Sequence, residues 1–201
     1  VKRRFSFESG FEGMKKFFAE FSFPHAARYR VLMLAPAALL VFLDQLFKWL
    51  TVRFLQEGQG VPLIEGVFEL LYVKNPGAAF SILENKRIFF ILLTVAVMGF
   101  LLLVILSGRY RRHMLLNISF VLVLAGGIGN LIDRCRFGYV IDYLYFKWID
   151  FPVFNFADGC LVIGAVLMLI FFFFIYEDTS VTKKTAKKAE GADDDRHMEN
   201  S

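Results

Sequence analysis

Cysteine and histidine are scarce in this chain. Its 201 residues hold two cysteines, Cys135 and Cys160, and three histidines, His25, His113 and His197. Two cysteines make no disulfide framework. A bridge between them is geometrically conceivable, but free, packing thiols are the expectation, because cysteine is often buried as a small hydrophobe. No CxxC and no His-rich cluster occurs, so neither a metal site nor a cofactor is expected. The histidines lie outside the hydrophobic runs, which argues against a His-based catalytic triad. Polar surface is also short: 57% of residues are hydrophobic, 17% aromatic, and the mean hydropathy is +0.53. Ordinary domains are about 45–50% apolar. The excess is gathered in runs, so the class is a polytopic membrane protein of one compact helical bundle. The net charge of +4 is modest, and no nucleic-acid partner is expected.

Four runs approach the roughly 20 residues that cross a bilayer. They cover about Val31–Thr51, Ile88–Leu106, Met114–Ile132 and Phe156–Tyr176. The first starts thirty residues in and lacks a small-residue cleavage site, so it reads as a retained span rather than a leader. Basic residues set the orientation. Lys2, Arg3, Arg4, Lys15, Lys16, Arg28 and Arg30 precede the first span, and Arg109, Arg111 and Arg112 join the second to the third. Lys183, Lys184, Lys187, Lys188 and Arg196 follow the fourth. With four spans these segments share one side, which places both termini in the cytoplasm. The domain reading is an arm over 1–30, a four-span unit over 31–176 and a tail over 177–201. The arm is Phe-rich and basic, and is either an interfacial helix or a poorly ordered extension. The tail is polar and reads as disordered.

Two segments then face outward. Residues 52–87 carry short β-structure, Val61-Pro-Leu-Ile64 and Val67–Val73, with a turn at Asn75-Pro-Gly77. Gly77 can bring backbone close to a ligand. Residues 134–155, rich in Tyr, Phe and Trp, read as a loop at the membrane interface.

Two acids sit beside these runs, Asp142 in Tyr139-Val-Ile-Asp-Tyr143 and Asp158 in Phe154-Asn-Phe-Ala-Asp158. A carboxylate beside lipid is costly and usually functional. Asp158 alone has a plain explanation, since Asn155 can cap the fourth helix with Asp158 at N3. A second acid on the same face changes the reading. Close carboxylates resist joint ionisation and share a proton. The ionised one can then take a proton from water while the other donates to a carbonyl or leaving amine. Gly126-Gly-Ile-Gly-Asn-Leu-Ile-Asp-Arg134 closes the third span, with Ala125 and Gly129 small enough for close helix approach. Asn130 and Arg134 read as a substrate-facing wall, and Asp133 as either a polar lock or part of that wall. Asp133 rivals Asp142 as a catalytic acid, but Arg134 and the helix end beside it suggest a neutralised structural acid. Asp44 and Lys48, four apart, can pair on one helix face in a structural role.

Together these segments resemble the bacterial type II, or lipoprotein, signal peptidases. The motifs are Asp44-Gln-Leu-Phe-Lys48, Asn75-Pro-Gly-Ala-Ala-Phe80, Gly129-Asn-Leu-Ile-Asp-Arg134, Val140-Ile-Asp142 and Phe154-Asn-Phe-Ala-Asp158, in the family's order. The resemblance implies a membrane aspartyl endopeptidase of the inner membrane, with its site at the outer face. Its partners would be membrane lipids and diacylglyceryl-modified prolipoproteins, cut just before the lipidated cysteine. It implies Asp142 and Asp158 as the catalytic pair and Asn75, Gly77, Asn130, Arg134 and Asn155 at the substrate. Asp44, Lys48 and Asp133 would support them, and residues 52–87 would form a β-cradle with a helical flap. A monomer is expected, because a two-acid site within one chain needs no partner. Two other readings compete. One is a non-catalytic transporter or lipid-binding scaffold whose acids are caps and a proton relay. The other is a presenilin-like protease, which keeps its acids deep in spans in a Gly-x-Gly-Asp pattern; the nearest stretch here is Gly127-Ile-Gly-Asn130.

Overall fold

The computed structural model describes residues 24–77 and 87–176. Expectations for residues 1–23, for residues 78–86 of the cradle-and-flap segment and for the tail from 177 lie outside the described residues. Four helices are long and apolar enough to cross a membrane. Helix α1 is Pro24–Phe54, α2 is Arg87–Ser107, α3 is Met114–Arg136, and α4 is Phe156–Ile170 followed by a π-turn, Phe171–Ile175. The first three exceed their apolar runs at one or both ends. Helix α1 begins at Pro24, and a proline's fixed φ and missing N–H suit a first turn. Helix α3 runs one turn beyond Ile132, so Arg134, expected at the start of the outer loop, is a helical residue.

Three strands sit between these helices. β1 (Gly60–Ile64) and β2 (Phe68–Asn75) form an antiparallel hairpin turned at Gly66, whose φ of 74° favours glycine. β3 (Val140–Phe146) pairs antiparallel on the far side of β2, with Val73 opposite Asp142 and Asn75 opposite Val140. The sheet order is β1-β2-β3. β3 corrects the expected interfacial loop over 134–155. Val140, Ile141, Asp142 and Tyr143 are all buried, because the strand is covered by the bundle as well as paired to β2. At the end of that segment Trp148, Ile149 and Phe151 are exposed around a 3-10 turn.

Helix α3 is the hub and packs against α1, α2 and α4. Its close approach to α4 and α1 depends on glycine. A Cβ on Gly126 would collide with the Ala157 carbonyl oxygen, and one on Gly129 would lie 2.5 Å from Asp44 Oδ2. The interior is divided along the helix axes. One end is apolar, built on Met33, Ala37, Leu101, Ile105, Leu116 and Phe171. The other buries Asp44, Lys48, Asn130, Asp133, Asp142 and Asn155. Outward-facing Leu39, Phe42, Leu92, Phe100 and Val162 remain exposed. An apolar exterior of this extent suits lipid and not water.

Candidate active site

The polar end of the bundle begins with a buried cation. Lys48 Nζ lies 2.9 Å from Asp44 Oδ2 and 2.9 Å from Asp133 Oδ2, and donates to Asn130 Oδ1 at 2.9 Å. The i,i+4 spacing on α1 produces the first contact, and close packing at Gly129 brings α3 in for the others. Both acids make further contacts. Asp44 Oδ1 accepts from the Ala157 backbone N–H at 3.1 Å, fastening α1 to the first turn of α4. Asp133 Oδ2 also accepts from the Ile141 N–H at 3.1 Å, fastening α3 to β3. Gln45 bridges Asp44, Asp133 and the Gly129 carbonyl. No role was expected of Gln45; its place beside Asp44 inside an apolar run is the signal that could have found it. Among the described residues the cation paired with Asp133 is Lys48 and not the neighbouring Arg134.

Asn130 carries this framework to the outer acids. With its Oδ1 held by Lys48, its Nδ2 donates to Asp158 Oδ1 at 2.7 Å. Asn155 and Asp158 form the capping box expected from their spacing. Asn155 Oδ1 accepts from the Asp158 N–H at 3.0 Å, and Asp158 Oδ2 accepts from the Asn155 N–H at 3.1 Å. Asn155 does more than cap. Its Nδ2 donates to Asp142 Oδ1 at 2.6 Å and to Asn130 Oδ1 at 3.1 Å. Asp142 Oδ2 accepts from Asn75 Nδ2 at 2.8 Å. The bulge between Leu70 and Val73 resets the register that puts Asn75 near Asp142. Both acids therefore converge on Asn155, while among the described residues neither is ion-paired to a lysine or arginine.

Burial, and next the like charge of Asp158, push Asp142 up to about 7; hydrogen bonds from Asn75 and Asn155 oppose that shift without cancelling it. Asp142 is 2% exposed, whereas Asp158 is only partly buried, so the pair is reached from the Asp158 side. Arg134 Nη2 donates to the Gly77 carbonyl at 3.2 Å, and its guanidinium lies 5.1 Å from the Phe90 ring centroid. Gly77 N–H in turn donates to Asn75 Oδ1 at 3.0 Å. All ten candidate residues thus belong to one connected end of the molecule. Tyr143 is an addition: it is buried, and its hydroxyl accepts from the Phe156 N–H at 3.3 Å. Burial pushes that hydroxyl's pKa up, so it stays protonated at working pH. Its aromatic character suggested an interfacial residue, and β3 pairing overrides that. Cys135 is exposed, Cys160 buried, and both are free. Among the described residues no cluster of His, Cys, Asp or Glu could hold a metal ion.

Comparison with known proteins adds independent findings. Residues 36–174 match the family described as signal peptidase (SPase) II. A lipoprotein signal peptidase of Halothermothrix orenii is 45% identical over 133 residues, covering 66% of this chain and 88% of that protein. One from Streptococcus thermophilus is 43% identical over 131 residues, covering 65% and 85%. A bacterial membrane enzyme solved by the in meso method at 2.3 Å resolution superposes with a TM-score of 0.65 at 28% identity, covering 78% of this chain and 91% of that one.

Proposed function

The chain belongs to the signal peptidase II family, and on that premise we propose that it removes signal peptides from diacylglyceryl-modified prolipoproteins by water activation between Asp142 and Asp158. The observation that carries this reading is the shared bracket. Asn155 contacts both acids, Asn130 contacts Asp158, and no lysine or arginine of the described residues neutralises either acid. An acid pair built only for stability would be expected to hold a cation, as Asp44 and Asp133 do.

The pair shares one proton at neutral pH. The ionised carboxylate takes a proton from water as its oxygen attacks the scissile carbonyl, while the protonated one donates to the carbonyl oxygen. Collapse of the tetrahedral species breaks the C–N bond. The departing amine, that of the lipidated cysteine, receives a proton from the acid that accepted it from water. A hydroxyl of the tetrahedral species returns its proton to the other aspartate and becomes the carbonyl of the new carboxyl group. Asn75, Asn130 and Asn155 keep both carboxylates oriented. Arg134, partly free beyond its bond to the Gly77 carbonyl, is suited to hold a substrate carbonyl. Gly77 keeps its backbone close to that point.

The basic residues on the cytoplasmic segments favour an inner-membrane protein with both termini inside and the acids at the outer face. The four-span unit acts as a monomer. A scaffold without catalysis would leave no peptide cut. A presenilin-like arrangement is disfavoured by Asp142, which is on a strand.

The test is cleavage of a diacylated prolipoprotein by purified protein and its Asp142→Asn and Asp158→Asn variants. Each variant is expected to lose at least about 100-fold in rate while its thermal stability stays unchanged or rises. Retained cleavage in either variant sinks the proposal.

A further inference from the structure

At the end of the bundle away from the acids, α1 and α3 part to leave an apolar groove of about 540 Å³. Leu32, Met33, Leu40, Val121 and Leu122 form its walls, and Arg111 and Arg112 stand at its mouth. The mouth is braced, since Tyr29 Oη donates to Asn117 Oδ1 at 3.0 Å and Asn117 Nδ2 donates to the Arg111 carbonyl at 3.2 Å. Tyr29 to Lys48 covers about 28 Å of helix at about 1.5 Å per residue, so this groove is separate from the acid site.

Two observations describe its occupant. Arg111 and Arg112 are both exposed, and among the described residues neither guanidinium is in an ion pair. They lie in the turn just before the span Met114–Arg136, which puts them at headgroup level. Immediately inward the groove is apolar and opens to the lipid-facing surface through exposed Leu32 and Ile118. A free anion has no use for the apolar walls, and a hydrocarbon has none for two guanidinium groups that no described acid pairs. An anionic amphiphile satisfies both.

We propose that the groove between α1 and α3 binds an anionic phospholipid, with its phosphate on Arg111 and Arg112 and one acyl chain along Leu32, Leu40 and Val121. Arginine suits this position because its planar donors match phosphate oxygens in pairs.

The experiment is native mass spectrometry of the delipidated full-length protein titrated with phosphatidylglycerol or phosphatidylcholine of matched chains. A single phosphatidylglycerol adduct is expected to survive preferentially. Arg111→Gln with Arg112→Gln should weaken it about tenfold to thirtyfold, at about 1 kcal/mol per charge. Ile118→Trp, which keeps both arginines but narrows the groove, should lower binding of both lipids. Equal retention of the two lipids by the native protein, or unchanged selectivity in the double variant, overturns the proposal. So does full binding by Ile118→Trp, which would mean the arginines act as bare surface charge. A dimer in place of lipid adducts, lost in the same variants, would mean that a second copy fills the groove, and would overturn it equally.

Discussion

Asn155 donates to Asp142 at 2.6 Å from the N-cap of the helix that carries Asp158. One amide therefore starts a helix and orients the acid of another element. The two tasks separate by substitution. Asn155→Ala removes both, and should cost about 0.5–2 kcal/mol of stability through the cap alone. Asn155→Ser restores a capping oxygen but is too short to replace the Nδ2 contact to Asp142. The serine variant is therefore expected to recover most of the melting temperature and little of the cleavage rate. Recovery of both would mean that Asn155 is only a cap.

The pH dependence follows from Asp142, held up to about 7 chiefly by burial and then by Asp158. Its unfolded value is about 3.9, so between these values the native state keeps a proton that the unfolded chain has lost. The stabilising contribution is complete below about 3.9 and disappears as pH rises through about 7. Thermal melts of the native protein minus those of Asp142→Asn should show that decline. Cleavage should also fall as pH rises through about 7, where the pair loses its last proton. Asp158→Asn removes the like charge and should move the stability midpoint downward, whereas Asn155→Ala removes a donor to the carboxylate and should move it upward.

Local spacing made part of this site legible in the sequence. Asp44 and Lys48 had to meet once α1 was helical, and Asn155 and Asp158 had to form a cap once α4 began there. The four spans were legible because lipid demands long apolar runs. What spacing could not supply was contact between elements. Lys48 reaches Asp133 because Gly129 lets α1 and α4 come close to α3. Val140–Phe146 pairs with β2 although its aromatic content suggested an interfacial loop. The convergence of Asp142 and Asp158 depends on that strand, since its register also places Asn75 at the second Asp142 oxygen.

Two glycines on neighbouring helices should respond in opposite ways to alanine. At Gly129 an added Cβ meets Asp44 Oδ2 at 2.5 Å and Ala157 Cβ at 3.2 Å, so α1 or α4 must shift. Overpacking of this kind costs about 1–3 kcal/mol, and displacing Asp44 should also lower the cleavage rate. Gly159, one residue after Asp158, has nothing within 4 Å of the place a methyl group would take. Gly159→Ala should be neutral or stabilising by up to about 1 kcal/mol, because helical glycine is the costlier residue. Melting temperature and initial rate, measured on both variants in one detergent, check the contrast.

Lys48 gives the sharpest separation of stability from catalysis. It is 1% exposed and holds two carboxylates and the Asn130 carbonyl oxygen at 2.9 Å each. Lys48→Met leaves Asp44 and Asp133 buried without their cation, a loss on the order of 3–5 kcal/mol. That variant alone could fail simply by unfolding. Adding Asp133→Asn removes one of the two like charges and should return part of the stability, a coupling that a double-mutant cycle measures. Catalysis should not return with it. Without Lys48 only the longer Asn155 Nδ2 bond, at 3.1 Å, holds Asn130 Oδ1, so the Nδ2 donation to Asp158 at 2.7 Å is enforced less firmly. The expected result is a folded double variant with a rate still depressed at saturating substrate. A double variant that cleaves at the native rate would show that Lys48 supports the fold and leaves the acids' orientation to Asn155.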